Sequence, residues 1–386
     1  MTERTYLDWN ASAPLRREAR AAALEALDLV GNPSSIHEEG RAARQAIERA
    51  RSQVASLAGA DPADVIFTSG ASEANVLALS PGWSHRADRA PFERLLVSAV
   101  EHPSVRQGGR FARDRVSLIP VDTQGVVDLD VLRTLLAGRP ALVSVMLANN
   151  ETGVVQPIRE VARLVHEAGS LLHVDAVQAP GRISFNFNDL GADLLALSGH
   201  KIGGPKGAGA LIRRGGLYLS DPLIRGGGQE RSLRGGTENI VGISGFGAAC
   251  SSICSGFAAE AAHAARLQQR LEARLRAATP DVIIFGESAE RLPNTTAFTH
   301  AGLRAETAVI AFDLAGVAVS SGSACSSGKV QPSQVLAAMG VEPALARGAI
   351  RVSTGPTTND ADIERFLSAW IKLAESLLKG RSFIAA

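Results

Sequence analysis

Cysteine is scarce in this chain of 386 residues: three are present, at positions 250, 254 and 325. So few thiols, so unevenly spaced, exclude a disulfide framework. Aromatic residues make up only 4% of the sequence, a composition that disfavours a β-sandwich. Neither sign of charge dominates, since 40 Lys and Arg stand against 39 Asp and Glu for a formal net charge of +1. That balance removes the electrostatic case for a nucleic-acid or membrane-surface partner. No apolar run approaches the ~18 residues that cross a bilayer. The polar start Met1-Thr2-Glu3-Arg4 has no secretory apolar segment. These absences lead us to expect a cytoplasmic protein with no nucleic-acid and no membrane partner.

What is present is 45% hydrophobic residues and 38 glycines, enough for a large core threaded by glycine-bearing loops. Strand-length apolar runs at 65–67, 95–97, 142–146, 171–174 and 194–197 alternate with helical patterns at 104–113, 130–137 and 158–168. Alternation of this kind implies crossover units on a mostly parallel sheet, to which 207–212 adds a further strand. Residues 245–279 are Ala-rich and helical, with Leu267, Leu271 and Leu275 on one face. After Pro280 the pattern changes to strands at 282–285, 295–298 and 349–352 and helices at 305–314 and 360–378. The fold class is therefore α/β: a large mostly parallel-sheet domain over 15–256, and a smaller α+β domain made of 1–14 and 257–386. Cys250 and Cys254, four apart in a small-residue helical stretch with no His nearby, read as small buried side chains.

Polar residues gather just after the apolar runs, where α/β sheets bind ligands. Ser198-Gly199-His200-Lys201 follows one run. A lysine there can meet a carbonyl carbon with its amine partly deprotonated, and the Ser and His can bond a phosphate. Asp175, with Gln178 three residues on, follows another; a carboxylate there can keep a pyridinium nitrogen protonated, and the amide can reach a phenolic oxygen. Thr68-Ser69-Gly70-Ala71-Ser72-Glu73 opens a helix, where small residues and free N–H groups suit phosphate. Glu101-His102 and Asn149-Asn150 follow two more runs; the imidazole can stack on a ring and move protons. Taken singly, each has an ordinary structural reading, as a loop lysine, a cap or a turn. Their convergence on one crevice is what carries the argument. The run 320–328, Ser-Ser-Gly-Ser-Ala-Cys-Ser-Ser-Gly, surrounds Cys325 with small polar residues that cannot pack a core. It reads as an exposed loop presenting a nucleophile.

With these motifs in order, the chain resembles the cysteine desulfurases of the class V aminotransferase fold, NifS- and IscS-like, of the kind that feeds iron–sulfur cluster assembly. The resemblance runs from Tyr6-Leu7-Asp8 to about residue 358. It takes in 31–37, 226–230 and Arg234-Gly235-Gly236-Thr237, together with Ile350-Arg351. It implies a pyridoxal-phosphate-dependent transferase of fold type I. Lys201 would hold pyridoxal 5'-phosphate covalently and shuttle protons, Asp175 would pair with the pyridinium, His102 would stack on the ring and Gln178 would meet the phenolic oxygen. Ala71, Ser72, Ser198 and His200 would bind the phosphate, completed by Thr237 of the partner subunit, so a homodimer is implied. Arg351 would take the carboxylate of L-cysteine, with Asn150 nearby. Cys325 would accept the sulfur as a persulfide, releasing L-alanine, and pass it to an acceptor protein, a scaffold or carrier.

The chain departs from the family pattern in places. Trp9 stands where Tyr or Asn is usual, Ser12-Ala13 where Thr-Thr is, Ser72 where Thr is, and 352–356 reads Val-Ser-Thr-Gly-Pro for Phe-Ser-Leu-Gly-Arg. Two other enzymes on the same fold compete with this reading, a selenocysteine lyase and an aminotransferase that has no need of Cys325. A noncatalytic scaffold protein is the rival from another class, and its purified form would be colourless.

Overall fold

The computed structural model describes residues 4–85, 90–322 and 333–384, with side chains in the last helix described as far as residue 375. Seven strands form the central sheet: β2 (Val65–Thr68), β4 (Leu95–Ser98), β5 (Val116–Ile119), β6 (Leu142–Ser144), β7 (Leu171–Asp175), β8 (Leu194–Ser198) and β9 (Gly209–Arg213). Their order is β2-β9-β8-β7-β6-β4-β5. Pairing is parallel from β8 to β5 and antiparallel where β9 meets β8 and β2. The inner strands are buried on both faces, which is why they read as continuous apolar runs. Edge strand β5, with Ser117 and Leu118 exposed, lacks such a run and has no signal in the sequence.

Successive strand residues feed opposite faces, as a period of two requires. Phe67, Leu96, Val143, Leu172 and Leu195 join a core with α1 (Arg17–Leu27), α2 (Glu38–Ala58), α5 (Leu129–Leu136), α6 (Ile158–Glu167), α7 (Phe187–Leu190) and the first half of α8 (Ile240–Ala278). Their neighbours Ile66, Leu95, Val97, Leu142, Leu171 and Leu194 pack instead on α3 (Ala71–Ala78) and α4 (Pro103–Arg106). Helix α2 escapes apolar periodicity because its buried face is largely Ala43, Ala50, Ala55 and Ala58, with Arg51 among them. Helix α4 is far shorter than the 104–113 expected. The backbone at Gly108 and Gly109 takes φ of 86° and 56°, which ends it.

A four-stranded antiparallel sheet, β11 (Ile283–Ile284), β12 (Thr295–Thr299), β15 (Ile350–Ser353) and β14 (Ser320–Ser321), carries the second unit with α9 (Ala305–Leu314), α10 (Gln334–Ala338), α11 (Pro343–Ala346) and α12 (Asp360–Ile384). The N-terminal strand β1 (Thr5–Tyr6) pairs there in parallel with β13 (Val317–Ala318), and Leu7 enters that core. The scarce aromatics concentrate here. Phe298 meets Trp370 edge-on at 5.1 Å, and Phe312 stacks on Phe366 at 5.0 Å. A short pair, β3 (Trp83–Ser84) with β10 (Tyr218–Leu219), stands apart.

Helix α8 runs unbroken through residue 256 and serves both units. Ile243, Phe246 and Ile253 lie in the first core, and Leu267, Leu271 and Leu275 in the second. By length and composition alone it is apolar enough to cross a membrane, because Gly, Ala and Ser dilute its charges without forming one apolar run. Its side chains Ile243, Phe246, Ile253, Leu267, Leu271 and Leu275 are buried against these cores. Cys250 is buried as expected, whereas Cys254 is exposed on the helix surface.

Candidate active site

Strands β2, β4, β6, β7 and β8 all point their C-terminal ends to one edge of the sheet, and the N-terminal segment and β15 close over it. Between them lies a cavity of about 750 Å³. The structure brings together on its wall Ala71, Ser72, His102, Asn150, Asp175, Gln178, Ser198, His200, Lys201 and Arg351, each singled out in the sequence. Thr237 is exposed and does not line this cavity in the single chain. Cys325 lies outside the described residues; Ser320, which opens its segment, lines the cavity.

Lys201 follows β8 in a short helical turn. Its ammonium donates to the carbonyls of Asn10 at 2.7 Å and Ala11 at 3.0 Å. Burial, reinforced by the charges of Arg351 and Arg182, lowers its pKa to about 8. A fraction of the amine is therefore unprotonated near neutrality, as a nucleophilic lysine requires. Asp175 ends β7; Oδ1 accepts the Val177 N–H at 3.0 Å and Oδ2 accepts Asn75 Nδ2 at 2.8 Å. Gln178 donates one N–H to the Asn10 carbonyl at 3.1 Å, and its oxygen accepts from Arg182. The second N–H of its amide remains for a ligand. Burial, then the charges of Lys201 and Lys206, holds His200 down to about 4, so it is a neutral hydrogen-bonding group.

One end of the cavity is suited to a phosphate. Gly70 caps α3 without a side chain, leaving the first N–H groups of the helix uncapped beside Ala71 and Ser72. Its φ of 156° and ψ of 178° belong to glycine alone. A Cβ on Gly209 would lie 2.7 Å from the Gly70 backbone, so only glycine lets β9 come this close. The Ser198 hydroxyl is buried with no partner among the described residues. An orphaned donor, a free helix start and the Asp175 carboxylate on the same cavity wall fit a phosphorylated pyridine.

Residues without a sequence signal complete the wall. Asn10 is buried; Nδ2 donates to Thr295 Oγ1 at 2.9 Å and to the Asn150 carbonyl at 3.3 Å. Asp8 accepts from Arg351 at 2.7 Å. Both arrive because β1 runs in the second unit and the chain then turns back across the cavity. Asn75 sits wholly buried among Ala74, Leu77 and Ala78 of α3. A polar residue on the apolar face of a helix was the signal available for it.

Fold and site together define a class. Residues 5–366 match the family described as aminotransferase class-V, and the chain belongs to that family. Members of the family are pyridoxal-phosphate enzymes. The chain is 41% identical over 385 residues to a cysteine desulfurase from Cereibacter sphaeroides, with 97% of each chain covered. It is 39% identical over 381 residues to the cysteine desulfurase IscS of Dictyoglomus turgidum, covering 98% of this chain and 96% of that one. Among solved structures it is similar to a NifS-like protein from Rickettsia africae, with a TM-score of 0.87 and 36% identity over 97% of this chain and 100% of that one.

Proposed function

We propose that this chain is a pyridoxal-phosphate-dependent cysteine desulfurase, which converts L-cysteine to L-alanine and delivers the sulfur to an acceptor protein, as in iron–sulfur cluster assembly. The observation that carries the reading is the setting of Lys201. Its partly unprotonated amine shares one cavity with a phosphate-suited helix start and the buried guanidinium of Arg351. Pyridoxal phosphate bound there supplies an electron sink for charge developing at the substrate's α-carbon. Ser72, Ser198, His200 and the first N–H groups of α3 would hold its phosphate, Asp175 its ring nitrogen and Gln178 its phenolic oxygen.

The protein's own groups divide the remaining work. Arg351 binds the substrate carboxylate with its planar fork. Lys201 holds and moves the α-proton from a fixed sheet edge. Cys325, as thiolate, attacks the sulfur of the substrate. The S–S bond forms as the C–S bond breaks, and the carbon fragment leaves with the electron pair, is protonated and becomes alanine. Thr237 of the partner subunit completes the phosphate site, so the active form is a homodimer. Its compartment in this reading is the cytosol, where a reactive thiol stays reduced.

The test is a single turnover with L-cysteine, followed by intact-mass and peptide mass spectrometry. One added sulfur on Cys325, with an equivalent of alanine released, is the expected result. Alanine formed without sulfur on Cys325, or no alanine from cofactor-loaded protein, would overturn the assignment.

A further inference from the structure

The hydrogen bonds around His102 run in one direction. Asn75 Nδ2 carries only donors, which go to Asp175 Oδ2 at 2.8 Å and to the Ser104 hydroxyl at 2.9 Å. The amide cannot be turned over, because its oxygen would then face a carboxylate that only accepts. Asn75 Oδ1 is indeed left buried and without a partner among the described residues, the cost of spending both donors this way. Ser104 Oγ therefore accepts from Asn75, and its own proton is free for His102 Nδ1 at 2.8 Å. The Ser104 backbone N–H, which can only donate, reaches the same nitrogen at 3.2 Å. A proton on Nδ1 would confront both donors.

We propose that Asn75 and Ser104 are positioning residues that lock His102 as the neutral tautomer with its proton on Nε2. His102 Nε2 makes no hydrogen bond among the described residues, and the ring lines the cavity. A ligand there meets an N–H donor with no lone pair to take up a proton. His102 thus serves as a stacking surface and hydrogen-bond donor, and the moving of protons falls to Lys201. The charged groups around the ring are Asp175, which favours the imidazolium, and Lys201, which opposes it. Burial, with Lys201 acting in the same sense, outweighs Asp175 and holds the imidazole below its ordinary pKa. The Glu101 carboxyl next to it is turned away to the Met146 N–H.

The inference rests on the cavity being the reaction site, yet its test needs no turnover. Long-range proton–nitrogen NMR on holoenzyme labelled at its 8 histidines, with His102 assigned by its loss in His102→Gln, reads the tautomer directly. At neutral pH an unprotonated Nδ1 and a protonated Nε2 are expected. Ser104→Ala should raise the imidazole pKa by about half a unit or more and mix the tautomers. Ser104→Thr, which keeps the hydroxyl, should restore the wild-type signals. A protonated Nδ1 in the wild type at neutral pH, or a Ser104→Ala protein with unchanged shifts and titration, overturns the proposal. Alanine release measured on the same sample keeps this outcome separate from that of the desulfurase reading.

Discussion

Arg351 and Asp8 meet at 2.7 Å, the guanidinium of β15 donating to a carboxylate on the chain's opening segment. The other terminal nitrogen of Arg351 donates to the Asn150 carbonyl at 2.9 Å, and its Nε is buried without a partner among the described residues. The arginine is thus oriented from two sides before any substrate arrives, with a donor to spare. Arg351→Lys loses the planar fork and should raise KM for cysteine about tenfold or more, since charge-assisted hydrogen bonds contribute about 1.5–3 kcal/mol. Asp8→Asn keeps the shape and weakens the orientation, so its rise should be smaller. Steady-state alanine release as a function of cysteine concentration checks both. An unchanged KM in Arg351→Lys removes that residue from substrate binding.

Glu230, Arg231 and Ser232 form a run of left-handed residues, with φ of 45°, 58° and 63°. None is glycine, and each costs roughly 1–2 kcal/mol. The bend persists because Glu230 is pinned. Its buried carboxylate takes Arg51 in two contacts of 2.7 and 2.8 Å and the Phe67 N–H at 2.9 Å. Arg51 in turn lies over the Phe67 ring, 4.8 Å from its centroid. Ser232→Gly should therefore stabilise the protein by about 0.5–1 kcal/mol, the relieved strain less the extra unfolded-state entropy. Arg51→Met leaves a buried carboxylate unpaired and should cost about 3–5 kcal/mol. Denaturant unfolding of both variants measures the contrast, and destabilisation by Ser232→Gly would contradict the strain argument.

The half of the site on the sheet was readable in the sequence because each of Asp175, His102 and Lys201 follows an apolar run, and strand ends in a parallel sheet share one edge. The half that folds back from elsewhere was not. Asn10 and Asp8 reach the cavity through the pairing of β1 with β13, a contact across 312 residues at Thr5–Val317 that no local pattern announces. The same holds for the departure from the family pattern at Trp9. A Cβ on Gly355 would lie 2.0 Å from the Trp9 ring, so the tryptophan occupies space that only a glycine leaves open. Trp9 departs from the family pattern and Gly355 keeps it, and the structure makes them one packed pair. In the fold, α2 was hidden by its alanine face and β5 by its exposed edge, whereas α9, with its large buried Phe312, matched its expected span.

Glu151 offers a pH readout of how the two units are joined. Ser333, which caps α10 by accepting the Leu336 N–H at 3.0 Å, donates its hydroxyl to Glu151 Oε2 at 2.5 Å. Burial pushes the Glu151 carboxyl up to about 7, against the opposing pull of the Ser333 hydrogen bond and the Arg351 charge. Between its ordinary value of 4.5 and about 7 the folded protein keeps this proton while the unfolded chain releases it. The native state binds more protons across that window, so this residue's contribution to stability falls as pH rises through it. Glu151→Gln is neutral at every pH and keeps an oxygen for Ser333. The Tm of the wild type should therefore drop relative to Glu151→Gln from pH 4.5 upward, and the gap should level off above pH 7. Scanning calorimetry of both proteins in matched buffers reads the difference, from which groups common to the two cancel. Parallel Tm curves would mean that Glu151 titrates as an ordinary carboxylate, and that the contact with Ser333 is made by a charged group.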